Sequence, residues 1–327
     1  MAVMGNRPSL TAPELARLLR AHYGIESAAI EETETGQDVA ARRYRIDSRY
    51  FVKVRPADDA RDGAASLSRH LADVGVPHVV APLRSKSGAL AVEDGECSLT
   101  VYPLIDGANG MAVGLTEHHW RAFGSFLKDL HAVRLPAELA ELVAAETYRR
   151  PELDILPLID AAASREDSEP AAFWTAHRDE IIALAARTEE LGRALEQRAL
   201  PLVLCHCDLH TNNVMIDRSG GLWVIDWDEP AHAPKERDLM FVVGGIHTGL
   251  VTPDETAWFL EGYGDAATDQ LALAYYRHAW AVQDIAGYGK QLFLDSPLDE
   301  RYADAWRILN VLFGPGGIVE IARASPT

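Results

Sequence analysis

The chain has 327 residues, 48% of them hydrophobic and 24% charged, enough apolar material for two subdomains with cores of their own. Its formal net charge of −18 disfavours a general nucleic-acid binder, and such acidity either only aids solubility, the commoner case, or attracts a cationic small molecule. Three cysteines without framework spacing (Cys97, Cys205, Cys207), a start from Met1 to Leu10 without a basic-then-apolar pattern, and no apolar run near the ~20 residues of a bilayer span lead us to expect a reduced, cytoplasmic protein with no membrane partner.

Thr11-Ala12-Pro13-Glu14 is a capping-box pattern with Pro in the first turn, which predicts a helix to about His22 ended by Gly24. Residues 28–55 read as strands: a first run, a second over 40–46, and the aromatic and β-branched run Tyr50-Phe51-Val52-Lys53-Val54. The turn Thr35-Gly36-Gln37-Asp38 joins the first two, and one Gly is too few for a protein-kinase Gly-rich loop. Lys53 within an apolar strand either faces solvent or places a positive charge against a phosphate, and the strand alone leaves both open. A helix over 60–73 follows, closed by Gly75-Val76-Pro77, then strands over 79–83 and 89–92. Leu99-Thr100-Val101-Tyr102-Pro103-Leu104-Ile105 is a strand that runs into the loop Asp106-Gly107-Ala108-Asn109-Gly110. That loop chemistry marks the domain boundary, giving 1–105 and 106–327.

From Thr116, a plausible N-cap, the chain reads as mostly helical, and Trp120, Phe123, Leu127 and Leu130 recur on one face. Further helices are predicted over 171–200, 238–247, 253–262, 268–292 and 297–312. On the helix over 268–292, Arg277, Asp284 and Tyr288 are spaced by seven and four residues and so project together, either as a surface salt-bridge cluster or as a site for an ammonium and a sugar-like ring.

Cys205-His206-Cys207-Asp208-Leu209-His210-Thr211-Asn212-Asn213 and the run Leu222-Trp223-Val224-Ile225-Asp226 flank two β-like runs around Arg218-Ser219-Gly220-Gly221, the pattern of a hairpin. With those four residues as the loop, Asp217 pairs with Leu222 and Asn213 stands opposite Asp226, with Cβ atoms roughly 5 Å apart on one face. Asp208 lies just before. An amide oxygen and carboxylates grouped in this way suit Mg²⁺ completed by substrate phosphates, with one Asp left to orient a hydroxyl. Asp228 and Glu229, just beyond Asp226, are candidates for holding the acceptor. No second Cys/His pair with zinc spacing accompanies Cys205-His206-Cys207, so zinc is not expected.

The motif resembles that of the aminoglycoside phosphotransferase and choline kinase superfamily, which shares its fold with protein kinases. The runs Ile225 to Pro230, Ala233 to Phe241, Tyr275 to His278 and Asp284 to Tyr288 are similar to the spectinomycin phosphotransferase branch. The resemblance implies a bilobal α+β fold, with an antiparallel sheet in a nucleotide-binding N-terminal lobe and a larger, mainly helical C-terminal lobe. It implies ATP and Mg²⁺ as cofactors, Asp208 as the catalytic Asp, Asn213 and Asp226 as metal ligands, and Lys53 on the ATP phosphates. It also implies Gly36 in the loop over ATP, the backbone of Val101, Tyr102 and Leu104 against adenine, and Asp238 as an anchor for the catalytic segment. The acceptor it implies is an aminocyclitol antibiotic such as spectinomycin, bound through Asp228, Glu229, Arg277, Asp284 and Tyr288, in a monomer or homodimer. A metabolic kinase for choline, homoserine, thiamine or methylthioribose, and a nucleotide-binding pseudokinase regulator, are the alternatives. Two departures stand out. Cys207 occupies a place where Gly is frequent, so the backbone there is expected to suit a residue with a Cβ. The helix Glu that would pair with Lys53 is missing near Ala64, where the neighbouring acids are Asp59, Asp62 and Asp73, and the partner of Lys53 is left open.

Overall fold

The computed structural model describes residues 10–27, 29–33, 41–59, 62–264, 267–295 and 301–326. Gly36 therefore lies outside the described residues, as do the side chains of Asp59 and Asp62. The strands in chain order are β1 (Ile30–Thr33), β2 (Arg42–Ile46), β3 (Tyr50–Pro56), β4 (Ala91–Asp94), β5 (Cys97–Pro103), β6 (Gly107–Asn109), β7 (Ala144–Ala145), β8 (Val203–Cys205), β9 (Val214–Asp217), β10 (Leu222–Val224) and β11 (Ala231–Ala233). The chain divides into two compact units, Met1–Ala144 with Asp208–Pro230, and Ala145–Cys207 with Ala231–Thr327. The break after residue 105 does not coincide with this division, because β6 pairs with β9 and carries the loop after β5 into the first unit.

In the first unit an antiparallel sheet has the order β1-β2-β3-β5-β4. Helix α1 (Ala12–Leu18) begins at the Thr11/Glu14 capping box, widens into a π turn over Leu19–Tyr23, and stops at Gly24, whose φ of 71° a Cβ would disfavour. Its Leu15, Leu18 and Leu19 close on Tyr44, Ile46, Val52, Val54, Leu99 and Val101. Alternation along β3 and β5 sends Val52, Val54, Leu99 and Val101 to this apolar face, and Lys53, Arg55, Ser98, Thr100 and Tyr102 to the other. Helix α2 (Asp62–Asp73) brings Ala64 and Ala65 to that polar side, where they line a cavity with Lys53 and Arg55.

Residues 79–83 do not form the predicted sheet strand. Val79 bridges to Val224 of β10 instead, and Val80 N–H donates to the Val224 carbonyl. Helices α3 (Gly110–Val113), α4 (Glu117–Ala132) and α5 (Ala137–Ala140) follow, α4 capped by Thr116 as its sequence predicts. A second small sheet, β10-β9-β6, carries the hairpin that holds the motif.

The second unit is mainly helical. Helices α6 (Glu152–Ala163), α7 (Glu169–Glu196), α8 (Glu236–Leu239), α9 (Pro253–Tyr263), α10 (Gln270–Phe293), α11 (Tyr302–Phe313) and α12 (Ile318–Ala324) pack largely around α10. Gly289 lets α10 approach closely: a Cβ there would stand 2.8 Å from the Trp174 ring. The helix expected over 238–247 ends at Leu239, and Gly244 and Gly245 take φ of 78° and 66°, which no helix continues through. Among the described residues no helix is long and apolar enough to cross a membrane.

Candidate active site

The hairpin is built around the Asp217 carboxylate. It accepts hydrogen bonds from Ser219 Oγ at 2.6 Å and from Ser219 N, Gly221 N and Trp223 Nε1 at 2.8 Å each. These donors, led by the Ser219 hydroxyl, hold its carboxyl well below the usual carboxylate range. Asp217 N–H bonds the Gly221 carbonyl and Gly220 N–H bonds the Asp217 carbonyl, with Gly220 at φ 83°. The turn therefore takes in Asp217, and the register is Ile216 to Leu222 and Val214 to Val224. This lies one residue from the expected pairing. Asn213 faces Ile225, whose N–H bonds the Asn213 carbonyl at 3.0 Å. Asp226 lies one residue further on, at φ 66°, a left-handed backbone conformation costly for a residue with a Cβ.

Asp226 pairs with Lys53. Lys53 Nζ donates to Asp226 Oδ1 at 2.6 Å and to Asp228 Oδ2 at 2.8 Å, and Arg55 Nη2 donates to the same Asp228 oxygen at 2.6 Å. The Lys53 and Arg55 side chains are 10% and 7% exposed, while that of Asp226 is 33% exposed, so the cations are sealed and a carboxylate edge is open. Burial opposes the Lys53 charge, but Asp226 and Asp228 outweigh it and raise its pKa. Burial likewise opposes ionisation of Asp226, and the Lys53 charge and hydrogen bond prevail, bringing its carboxyl to about 2. Burial first, then the two carboxylates, push the Tyr102 phenol up to about 12 against the pull of Lys53.

Asp228, expected on the acceptor, is thus engaged by Lys53 and Arg55, and the question of the Lys53 partner is answered by two carboxylates from beyond the hairpin. The candidate backbone contacts for adenine are also constrained. Leu104 N–H already donates to the Arg49 carbonyl at 2.9 Å, and the buried Val101 offers a carbonyl that accepts from Leu83 N–H at 2.7 Å.

Asp208 and Asn213 come together. Asn213 Nδ2 donates to the Asp208 carbonyl at 2.8 Å and to its Oδ2 at 2.9 Å. With the nitrogen committed, the amide oxygen is the atom left to face a cation, and the oxygen donors of Asn213 and Asp226 suit a hard divalent ion. His210, to which the sequence assigned no role, stands with Nε2 3.2 Å from Asp208 Oδ1. Its place two residues after Asp208 in a loop was the available signal.

In the second unit the Asp238 carboxylate accepts from His206 N–H at 2.9 Å and Cys207 N–H at 2.7 Å, the two residues that precede Asp208 in the chain. Cys207 sits at φ 73°, so the backbone there has the left-handed form that favours Gly and is occupied by a residue with a Cβ. Arg277, expected with Asp284 and Tyr288 on the acceptor, has its guanidinium engaged within the second unit. It is buried, with Nη2 2.5 Å from the Val243 carbonyl and Nη1 3.1 Å from Ser325 Oγ. Periodicity placed it on that face, and packing of the 239–245 turn and the C-terminal residues claimed it. Asp284 is half-buried, Tyr288 buried and Glu229 exposed.

The model of the phosphotransferase enzyme family matches residues 32–280. The chain belongs to the phosphotransferase enzyme family. Among solved structures this phosphotransferase is similar to a spectinomycin phosphotransferase in complex with ADP and spectinomycin, with a TM-score of 0.86, 29% identity, and coverage of 97% of this chain and 99% of that one. It shares its fold with an amicoumacin kinase in complex with AMP-PNP, Ca²⁺ and its substrate, at a TM-score of 0.67, 16% identity, and coverage of 97% and 95%. It also shares it with an ADP-bound aminoglycoside phosphotransferase, at 0.55, 17%, and 92% and 97%. No curated protein matches the chain. The mixed α+β, kinase-like fold expected of such a phosphotransferase is therefore the one observed.

Proposed function

We propose that this phosphotransferase moves the γ-phosphoryl group of ATP, with Mg²⁺, to a hydroxyl of a cationic aminocyclitol, with spectinomycin the leading candidate, and so protects a cell against the antibiotic. The observation that carries the acceptor class is the 0.86 TM-score over nearly the whole of both chains with a spectinomycin-bound enzyme. The clustering of Asp208 with Asn213, and of Asp226 with Lys53, supports the chemistry.

Asp208 accepts the hydrogen bond of the acceptor hydroxyl and aims its oxygen along the line of displacement, and Asn213 and His210 hold that carboxylate in place. Lys53, already held as a cation, turns its ammonium to the α- and β-phosphates. Asn213 and Asp226 would hold Mg²⁺, which when bound neutralises charge on the phosphates. On α10, Asp284 supplies negative charge for an ammonium, and Tyr288, one turn along, supplies an aromatic face. Replacing Asp284 by Asn is expected to raise the acceptor KM about ten- to hundredfold and to leave the ATP KM within about twofold.

The test incubates purified protein with ATP, Mg²⁺ and spectinomycin and reads the product by mass spectrometry for one added phosphate. Transfer to choline, homoserine, thiamine or methylthioribose and none to spectinomycin would replace the antibiotic reading with a metabolic one. ADP binding without transfer to any acceptor would leave a regulator.

A further inference from the structure

Lys53 must be presented to the phosphates by something rigid, since an ammonium on a four-carbon stem has many rotamers to lose. The departure in this chain is that α2 brings Ala64 and Ala65 to the cavity beside Lys53 and Arg55, so at those two positions the helix ends in methyl groups. The carboxylate in contact is that of Asp228, which follows the hairpin and is separated from Lys53 by 175 positions in sequence. Its Oδ2 receives both Lys53 Nζ and Arg55 Nη2, and these donors are neighbours on one face of β3, two residues apart. Arg55 is 5% exposed and adds a second charge-assisted bond to that same oxygen.

We propose that Asp228, seated by Arg55, is the positioning residue of Lys53, and that it does from the hairpin side what an acid on α2 would do from the helix side. Asp226 divides its two oxygens, with Oδ1 on Lys53 and an edge left open for a metal ion, whereas Asp228 gives one oxygen to Lys53 and Arg55 together. Two cations meet two carboxylates there, and Asp228 is the one bonded to both cations. Asp228 is accordingly a nucleotide-side residue and not an acceptor ligand. This rests on the kinase reading but not on the identity of the acceptor.

The test is nucleotide affinity, read by calorimetry with ADP and no acceptor, together with the separate KM values for ATP and acceptor. Asp228→Asn is expected to weaken ADP binding and raise the ATP KM about ten- to hundredfold, the range of a lost charge-assisted hydrogen bond, with the acceptor KM within about twofold. Adding Ala64→Glu, which sends a carboxylate into the cavity from α2, is expected to recover at least about a third of the lost affinity on a logarithmic scale. A merely structural role for Asp228 predicts no such recovery. If Asp228→Asn does not fold, the double variant Arg55→Met/Asp228→Asn removes the buried pair together and serves as the background for Ala64→Glu. ADP affinity unchanged in either background, a rise confined to the acceptor KM, or no recovery with Ala64→Glu would each overturn the proposal. Absence of ADP binding by the unaltered protein would instead overturn the kinase reading beneath it.

Discussion

Two groups of charged residues lie within the molecule, one in each unit, and they are bonded differently. In the second unit Asp238 holds two backbone amides, Glu146 holds the amide of Tyr148 at 2.7 Å and the guanidinium of Arg150 at 2.9 Å, and Arg150 lies 5.1 Å from the centre of the Tyr275 ring. Arg237 lies 5.6 Å from the Tyr276 ring, and the nearby thiol, carboxylate and phenol groups keep it charged in spite of its burial. Backbone amides cannot turn to another partner, so these carboxylates fix shape. In the first unit Asp226 and Asp228 are held by the ends of Lys53 and Arg55, side chains that exchange one anion for another. The cations of the two groups are hidden from water to a similar degree, with Lys53 and Arg55 on one side and Arg150 on the other all nearly buried. Burial alone therefore does not tell a scaffold from a site, but the nature of the donor does.

If this contrast is right, substitutions in the first group should remove activity and spare stability, and those in the second should do the reverse. The largest effect is expected from Asp226→Ala, which removes the charged ligand from a site with few protein ligands: turnover at millimolar Mg²⁺ should fall to background in a coupled ADP-release assay. Asp208→Asn keeps the size and loses the charge, and kcat should fall by roughly 10²–10⁴ with ADP affinity retained. A near-normal kcat would remove Asp208 from its assigned role. Asp238→Asn should act on stability. One buried amide loses its acceptor, at about 1–3 kcal/mol, and the thermal midpoint should drop by several degrees, measured by circular dichroism. A midpoint unchanged by Asp238→Asn, or one lowered more by Asp208→Asn, would break the comparison.

The smallest effect concerns pH. Burial above all pushes the Cys207 thiol up to about 12, with Arg237 pulling the other way. A group whose folded pKa is raised contributes stability that is complete below its unfolded value of about 8.5 and is lost as pH rises from there through about 12. Melting curves from pH 7 to 11 should fall less steeply on the alkaline side for Cys207→Ala than for the unaltered protein. Parallel curves would mean that the thiol does not titrate with unfolding.

What the sequence disclosed, and what it withheld, follows the range of the interactions. The Thr11/Glu14 and Thr116 caps were legible because each is closed within three residues. The strand alone left open which way Lys53 faces, and its bonds to Asp226 and Asp228 decide it. The hairpin register was missed by one because counting turn residues cannot see a carboxylate that gathers four donors and draws Asp217 into the turn. Asp228 was read as an acceptor ligand because adjacency to Asp226 says nothing about a cation on another strand. Arg277 was placed by periodicity on a shared face, but periodicity does not reveal that the Val243 carbonyl, 34 positions away, takes its guanidinium. His210 offered only its nearness to Asp208, and a single His in a loop carries little information.

The Lys53–Asp226 pair joins positions 173 residues apart, and the unit that contains both is interrupted by the whole of Ala145–Cys207. On a ribosome adding about 5–20 residues each second, β3 emerges roughly 10–35 s before the hairpin that carries its carboxylates. Through that interval Lys53 and Arg55 must stay hydrated, since sealing them before Asp226 and Asp228 arrive would bury cations ahead of the acids that compensate them. The polar face of the five-stranded sheet is thus the last part of the first unit to close during synthesis, although its five strands are made before any other strand of the described residues.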